Sequence, residues 1–214
     1  MKSLDAFEKR VIILMPIFYA VGLVGHALES TLPLMISLTP YTILATAVLG
    51  LLPFFIHAHR RLLIWAAVTY GITLFLEILG VKTGLVFGSY DYGSTLGLEF
   101  MEVPLLIGIN WTIIILGSIT LVKRWVSSPL AVMVLTALIT VVFDYIMEPV
   151  AIALDYWSWE GGPIPLQNYI AWGVISFAFA GVYELMKLSN PYKLPTVIVL
   201  VQGLFFLGLR IIVV

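Results

Sequence analysis

The sequence predicts an all-α, polytopic membrane protein: a bundle of seven transmembrane helices, with the amino terminus cytoplasmic and the carboxyl terminus outside. Three observations carry that expectation. The 214 residues are 61% hydrophobic and only 11% charged, with a mean hydropathy of +1.08. A soluble domain carries roughly a quarter of its residues as charges, because water has to be met by polar surface. Apolar runs near the length of about 20 residues that a span needs recur along the chain. The basic residues gather on alternate connections, as the positive-inside rule requires.

The runs fall at 11–28, 38–57, 62–79, 102–122, 129–150, 167–186 and 194–212. Lys2, Lys9 and Arg10 precede the first, but it is too long for a signal core and lacks a convincing small-residue cleavage motif, so it reads as a retained helix. Arg60 and Arg61 follow the second run, Lys123 and Arg124 the fourth, and Lys187 and Lys193 the sixth. Of the 11 basic residues only Lys82 and Arg210 break the alternation. Short alternating strands with a polar lumen pattern are missing, which argues against a barrel. With no internal repeat, residues 1–214 read as a single transmembrane helical domain. Without cysteine there is neither a disulfide framework nor thiolate ligation, and a net charge of −1 offers no face for nucleic acid.

Asp5, Glu8 and Glu184 lie toward the basic side, and the remaining acids sort to the outward loops or outward helix ends. Short loops need soluble residues, but that does not account for Glu77, Asp144 and Glu148 inside apolar runs. Ionisable groups at membrane depth are costly and face a protein interior or a wet cavity. A site in the extracytoplasmic half follows.

The fifth run gives the clearest stripe. Thr136, Thr140, Asp144 and Glu148 recur every four residues and share a helix face. Pro149 is expected to kink or end that helix, since it lacks an N–H and crowds the carbonyl of Tyr145. In the third run Glu77 follows Tyr70 and Thr73. In the first, Tyr19, Gly22, His26 and Glu29 form an outward stripe, and His26 is a proton-exchange candidate. Glu102 is expected to open the fourth helix with Pro104 in its first turn, and Asn110 and Trp111 lie about two turns deeper. Helix dipoles then favour a neutral acid at Glu77, Asp144 or Glu148 and a permanent anion or base at Glu102. Buried hydrogen-bond networks and helix–helix glue are the plain structural alternatives.

Two long outward connections carry aromatics. Tyr90-Asp91-Tyr92 reads as a rim with one carboxylate. Tyr156-Trp157-Ser158-Trp159 with Pro163 and Pro165 reads as a stiff lid running into Asn168 and Trp172. His57 and His59 beside Arg60 and Arg61 do not form His-Glu-x-x-His, and neither a phosphate loop nor a serine-nucleophile motif occurs. No metal and no cofactor are expected.

The blocks Gly88-Ser-Tyr-Asp-Tyr-Gly93, Glu102-Val-Pro-Leu-Leu-Ile-Gly-Ile-Asn-Trp111, Asp144-Tyr-Ile-Met-Glu-Pro-Val-Ala151, Tyr156-Trp-Ser-Trp159 and Pro163-Ile-Pro-Leu-Gln-Asn-Tyr-Ile-Ala-Trp172 occur in that order. In them the chain resembles the membrane carotenoid hydratase family, the bisanhydrobacterioruberin and gamma-carotene hydratase group. The resemblance implies addition of water to a terminal isoprenoid double bond of an acyclic carotenoid, without a redox cofactor or nucleotide. It also implies other membrane enzymes of carotenoid synthesis as partners.

That chemistry suits the acids. A carboxylic acid protonates the less substituted alkene carbon, a tertiary cation forms, and water captures it with help from a second carboxylate. Asp144 or Glu148 is the expected proton donor. Glu77 or Glu102 would position water or stabilise the cation, and Asn110 and Asn168 would orient water. His26, Tyr90, Asp91, Tyr92, Trp111, Trp157, Trp159, Asn168 and Trp172 are the expected substrate contacts. The rival readings are a transporter or channel for protons or small solutes, an acid-initiated isoprenoid isomerase or cyclase, and a non-catalytic isoprenoid-binding subunit.

Overall fold

The computed structural model describes residues 2–57 and 59–214; the side chains of Lys2 and Asp5, sorted by side above, lie outside the described residues. The architecture is helical: α1 (Lys2–Ala27), α2 (Leu32–Ile56), α3 (Arg60–Thr83), α4 (Leu105–Val122), α5 (Pro129–Ala153), α6 (Leu166–Leu185) and α7 (Leu194–Val213). Four short strands add to it: β1 (Tyr90–Tyr92), β2 (Glu99–Phe100), β3 (Val103–Pro104) and β4 (Trp157–Trp159). Each expected run contains a helix, so the helical class holds. The strands lie in the connections after α3 and α5, whose backbone groups need partners that no helix provides.

Among the described residues six helices are long and apolar enough to cross a membrane. The exception is α6, which has 20 residues but whose Gln167, Asn168 and Glu184 lower its hydropathy. The helices keep their polar residues largely on buried faces, and their exposed faces carry apolar side chains such as Ile13, Phe75, Leu138 and Ile211, as lipid-facing surfaces do. The centre is α4, whose residues 111–120 are all buried against α2, α3, α5 and α7. Its Gly117 lets α7 approach: a Cβ there would lie 2.2 Å from the Pro195 carbonyl oxygen. Small residues permit this closeness between helices in lipid. At the end of the bundle that carries the basic connections, the Glu8 carboxylate accepts the N–H groups of Lys193 and Leu194, which caps α7 and ties it to α1. Lys123 pairs with Glu184, and Arg61 donates to the Met186 carbonyl at 2.6 Å.

Two expectations are corrected. Glu102 does not open α4. It sits with Met101 in the two-residue turn joining β2 to β3, and both have positive φ, 54° for Met101 and 69° for Glu102. Two successive left-handed residues are what such a hairpin turn requires. The helix begins three residues later, behind Pro104 in extended conformation. Of the kink or end expected at Pro149, the end does not occur, for α5 continues to Ala153. The carbonyl that Pro149 leaves without a helical partner belongs to Tyr145, and Arg210 of α7 donates to it at 2.7 Å while stacking 4.7 Å over the Tyr145 ring. Arg210, an exception to the charge alternation, therefore repairs the proline defect.

Candidate active site

The connections after α3 and α5 close over one end of the bundle as one ribbon. Antiparallel pairing of β1 with β4 sets Tyr90 opposite Trp159, Asp91 opposite Ser158 and Tyr92 opposite Trp157. Side chains alternate along a strand. Tyr90, Tyr92, Trp157 and Trp159 therefore turn inward, and Asp91 and Ser158 face out. Beneath the ribbon lies a cavity of about 250 Å³. Its floor and walls come from α1, α2, α3, α4, α5, α6 and α7.

The fifth-helix stripe is where the periodicity put it. Thr136, Thr140, Asp144 and Glu148 are all buried on the inner face of α5. Thr140 gives its hydroxyl to the backbone of Thr136 and Ala137, Thr136 Oγ1 is buried without a partner, and of the stripe only the two acids line the cavity. On α3, Thr69 and Thr73 likewise bond back to their own helix, and Glu77 reaches the cavity one turn beyond Thr73.

The carboxyls differ in their donors. Glu148 accepts three N–H groups: Trp157 Nε1 at 3.0 Å and Trp159 Nε1 at 2.8 Å on Oε2, and Asn168 Nδ2 at 3.2 Å on Oε1. The same Asn168 amide donates to Asp144 Oδ2 at 2.7 Å, so its two N–H groups bridge the acids. Asp144 Oδ1 is fully buried and has no partner. Glu77 Oε2 accepts the hydroxyls of Tyr90 and, at 2.8 Å, Tyr92. Burial first, then the Glu77 carboxyl, holds the phenols of Tyr90 and Tyr92 well above their ordinary range. They remain O–H donors. Burial also raises Tyr156, against the pull of its 3.0 Å bond with Thr39.

Aromatic walls complete the cavity. Trp111 and Trp172 stack 3.6 Å apart at 17°, and Phe87 stacks on Trp172 at 5.0 Å. Asn110 lines the same space. The lining also takes in Tyr19 and His26 of α1, Thr39 of α2, and Gln202, Phe205 and Phe206 of α7.

Of the residues expected from sequence, the cavity gathers Asp144, Glu148, Glu77, Asn110, His26, Tyr90, Tyr92, Trp111, Trp157, Trp159, Asn168 and Trp172. It leaves out Glu102 and Asp91. Glu102 is exposed on the hairpin and pairs with Lys82, and Asp91 is on the ribbon's outer face because Tyr90 and Tyr92 face in. Gln202, Phe87 and Phe205 were missed, and Tyr156 was placed in the lid but not among the substrate contacts. A lone amide in an apolar run is the signal that singled out Asn110, and it applied equally to Gln202; the phenylalanines carried none in a sequence with 12 Phe. Among the described residues no group of three or more His, Cys, Asp or Glu is placed to hold a metal ion.

Fold and site together define a polytopic helical membrane protein with carboxyl groups sealed into an aromatic cavity. The model of the family described as "Carotenoid biosynthesis protein" matches residues 38–213, and the chain belongs to that family. It is 30% identical over 178 residues to the bisanhydrobacterioruberin hydratase of Haloarcula japonica, covering 76% of this chain and 59% of that protein. The chain thus spans under two thirds of the relative's length. No solved structure matches it.

Proposed function

We propose that this chain adds water across a terminal isoprenoid C=C bond of an acyclic carotenoid. The observation that carries the proposal is the Asn168 bridge. Both of its N–H groups are committed to Asp144 Oδ2 and Glu148 Oε1, so neither of those oxygens carries a hydrogen toward it. Glu148, with three donors, is built as the anion. A proton on Asp144 belongs on Oδ1, the oxygen without a partner. The choice between Asp144 and Glu148 falls on Asp144.

In this reading Asp144 Oδ1–H protonates the less substituted alkene carbon, and the π electrons become the new C–H bond. The tertiary cation left behind meets the Glu148 carboxylate and the faces of Trp111 and Trp172. Water attacks the cationic carbon, with Glu77 and its tyrosines and Asn110 as the groups that orient it. The water's spare proton returns to the carboxylates and restores the Asp144 acid. The balance is alkene plus water to tertiary alcohol, and no cofactor enters the scheme.

The cavity, about 250 Å³, is below the roughly 300–1,000 Å³ of pockets that enclose drug-sized ligands. It suits the end of a long isoprenoid, with the rest in lipid. The basic inner loops support seven spans with α6 included, an amino terminus inside and a site in the extracytoplasmic half. The whole chain would work as one domain, alongside other membrane enzymes that make and pass on the carotenoid. The deciding experiment supplies an acyclic carotenoid and isotopically labelled water to membranes containing the chain. One labelled oxygen per reacted end is expected. Rearranged product without label would mean an isomerase or cyclase, and solute flux in sealed vesicles without turnover would mean a transporter.

A further inference from the structure

A second pocket, of about 350 Å³, lies apart from the acid cavity, at the end of the bundle that carries the basic connections. Its walls are the last turn of α4 with the residues after it, the end of α6, and the connection from α6 to α7. Lys123, Arg124 and Lys193 line it, and among the described residues no carboxylate does. The acids close by are already engaged: Glu184 pairs with Lys123, and Glu8 caps α7.

Two of the lining residues hold buried donors with nothing to donate to. Tyr183 is 0% exposed, with Trp65 edge-on to its ring at 5.7 Å and the Lys123 ammonium 5.8 Å from the ring centre. Its oxygen can accept the Asn190 backbone N–H, but its own hydrogen has no acceptor. Asn190 Oδ1 accepts the Tyr192 N–H at 2.8 Å, which fixes the orientation of the amide and leaves Nδ2 buried without a partner. Thr120 makes no such demand, since its hydroxyl meets the Gly117 carbonyl and Thr196.

Buried polar groups are seldom left unpaired. Here both bare groups are donors and their neighbours are cations, so the missing partner is an anionic acceptor. A flat carboxylate offers two oxygens in one plane. A phosphate group offers oxygens in several directions, as donors from α6, the α6–α7 connection and the end of α4 require. We infer that this pocket binds a negatively charged phosphate group, carried either by a phospholipid headgroup or by a soluble phosphate. Basic pockets between helices at a membrane surface take lipid headgroups in this way. Trp125 and Leu185, 82% and 84% exposed, follow Arg124 and Glu184 and offer apolar surface to acyl chains. The site stands independently of the hydration reading.

The test has two arms on the purified full chain. In the first, native mass spectrometry from detergent counts bound lipid after equal additions of phosphatidylglycerol and phosphatidylcholine with the same acyl chains. In the second, the thermal midpoint of the delipidated chain is read in inorganic phosphate against chloride at equal ionic strength. A wild-type preference for phosphatidylglycerol of about tenfold, the effect of one hydrogen bond to a charged group, names a lipid as the source. A rise in midpoint with phosphate and no lipid preference names a soluble phosphate. In either case Tyr183→Phe and Arg124→Gln should each shrink the effect. Asn190→Asp keeps the oxygen that holds the Tyr192 N–H but sets a negative charge in the pocket, and should abolish it. If Asn190→Asp fails to fold, Arg124→Gln, at an exposed position, still reads the site. No response in either arm would mean that water fills the pocket, and would overturn the inference. So would a response that all three variants leave unchanged.

Discussion

At the scale of single residues, the two acids of α5 make opposite demands on an amide. Asp144→Asn can keep an oxygen toward Asn168 and turn its NH2 into the place of the unpartnered Oδ1. It should fold normally and lose roughly 10²–10⁴-fold in hydration rate, the usual worth of a general acid. Glu148→Gln has no such orientation, because N–H groups face both of its carboxyl oxygens. Either rotamer sets an NH2 against a donor, and the protein should lose about 1–3 kcal/mol of stability. Thermal midpoints and turnover in the same preparation separate the two effects; a stable Glu148→Gln with unchanged activity would contradict the Asn168 bridge. The ribbon tyrosines supply a pH prediction. Tyr90, Tyr92 and Tyr156 are raised in the folded protein, so unfolded phenols ionise first, near pH 10. Their contribution to stability is intact below about pH 10 and is lost as pH climbs from there toward their folded values. Tyrosinate absorbance in a pH titration should therefore appear late for these three and rise together with unfolding.

Elements are held by a few specific contacts rather than by general greasiness, since lipid is as apolar as the helices. Pro149 and Arg210 form one such device. Arg210→Met strands the Tyr145 carbonyl and should destabilise by about 1–3 kcal/mol. In a Pro149→Ala background the restored N–H takes that carbonyl, so the loss should shrink. A double-mutant cycle on thermal stability in detergent measures the coupling, and additive effects would show that Arg210 matters for another reason. The α4–α7 seam is a second. Gly117→Ala drives a Cβ into the Pro195 carbonyl and Val199, both on the capped first turns of α7, which cannot yield freely. A loss of about 1–3 kcal/mol or more is expected, as for overpacking in a core.

For the whole molecule, the proposed topology is open to direct labelling because the chain has no cysteine of its own. Leu98 and Trp125 are both 82% exposed, on loops at opposite ends of α4. In intact cells a membrane-impermeant maleimide should label Leu98→Cys and spare Trp125→Cys until the membrane is opened. The reverse pattern would invert the orientation and move the acid cluster to the cytoplasmic half.

The one-dimensional order of residues determined a good deal by itself. Helical repeats of apolar residues set the class, and period-four spacing put Thr136, Thr140, Asp144 and Glu148 on one face, because helix geometry turns spacing into direction without reference to anything else. What it could not decide was whatever depends on a second segment meeting the first. Glu102 and Asp144 looked alike as acids near apolar runs, yet one is on an exposed turn beside Lys82 and the other is buried and hydrogen-bonded to Asn168. Asp91 lost its place because pairing with β4 turned Tyr90 and Tyr92 inward, and Pro149 stayed helical because Arg210 arrives from 61 positions later. Partners so distant in sequence are chosen by tertiary packing, which alone settles which polar atoms are paired and which are left bare.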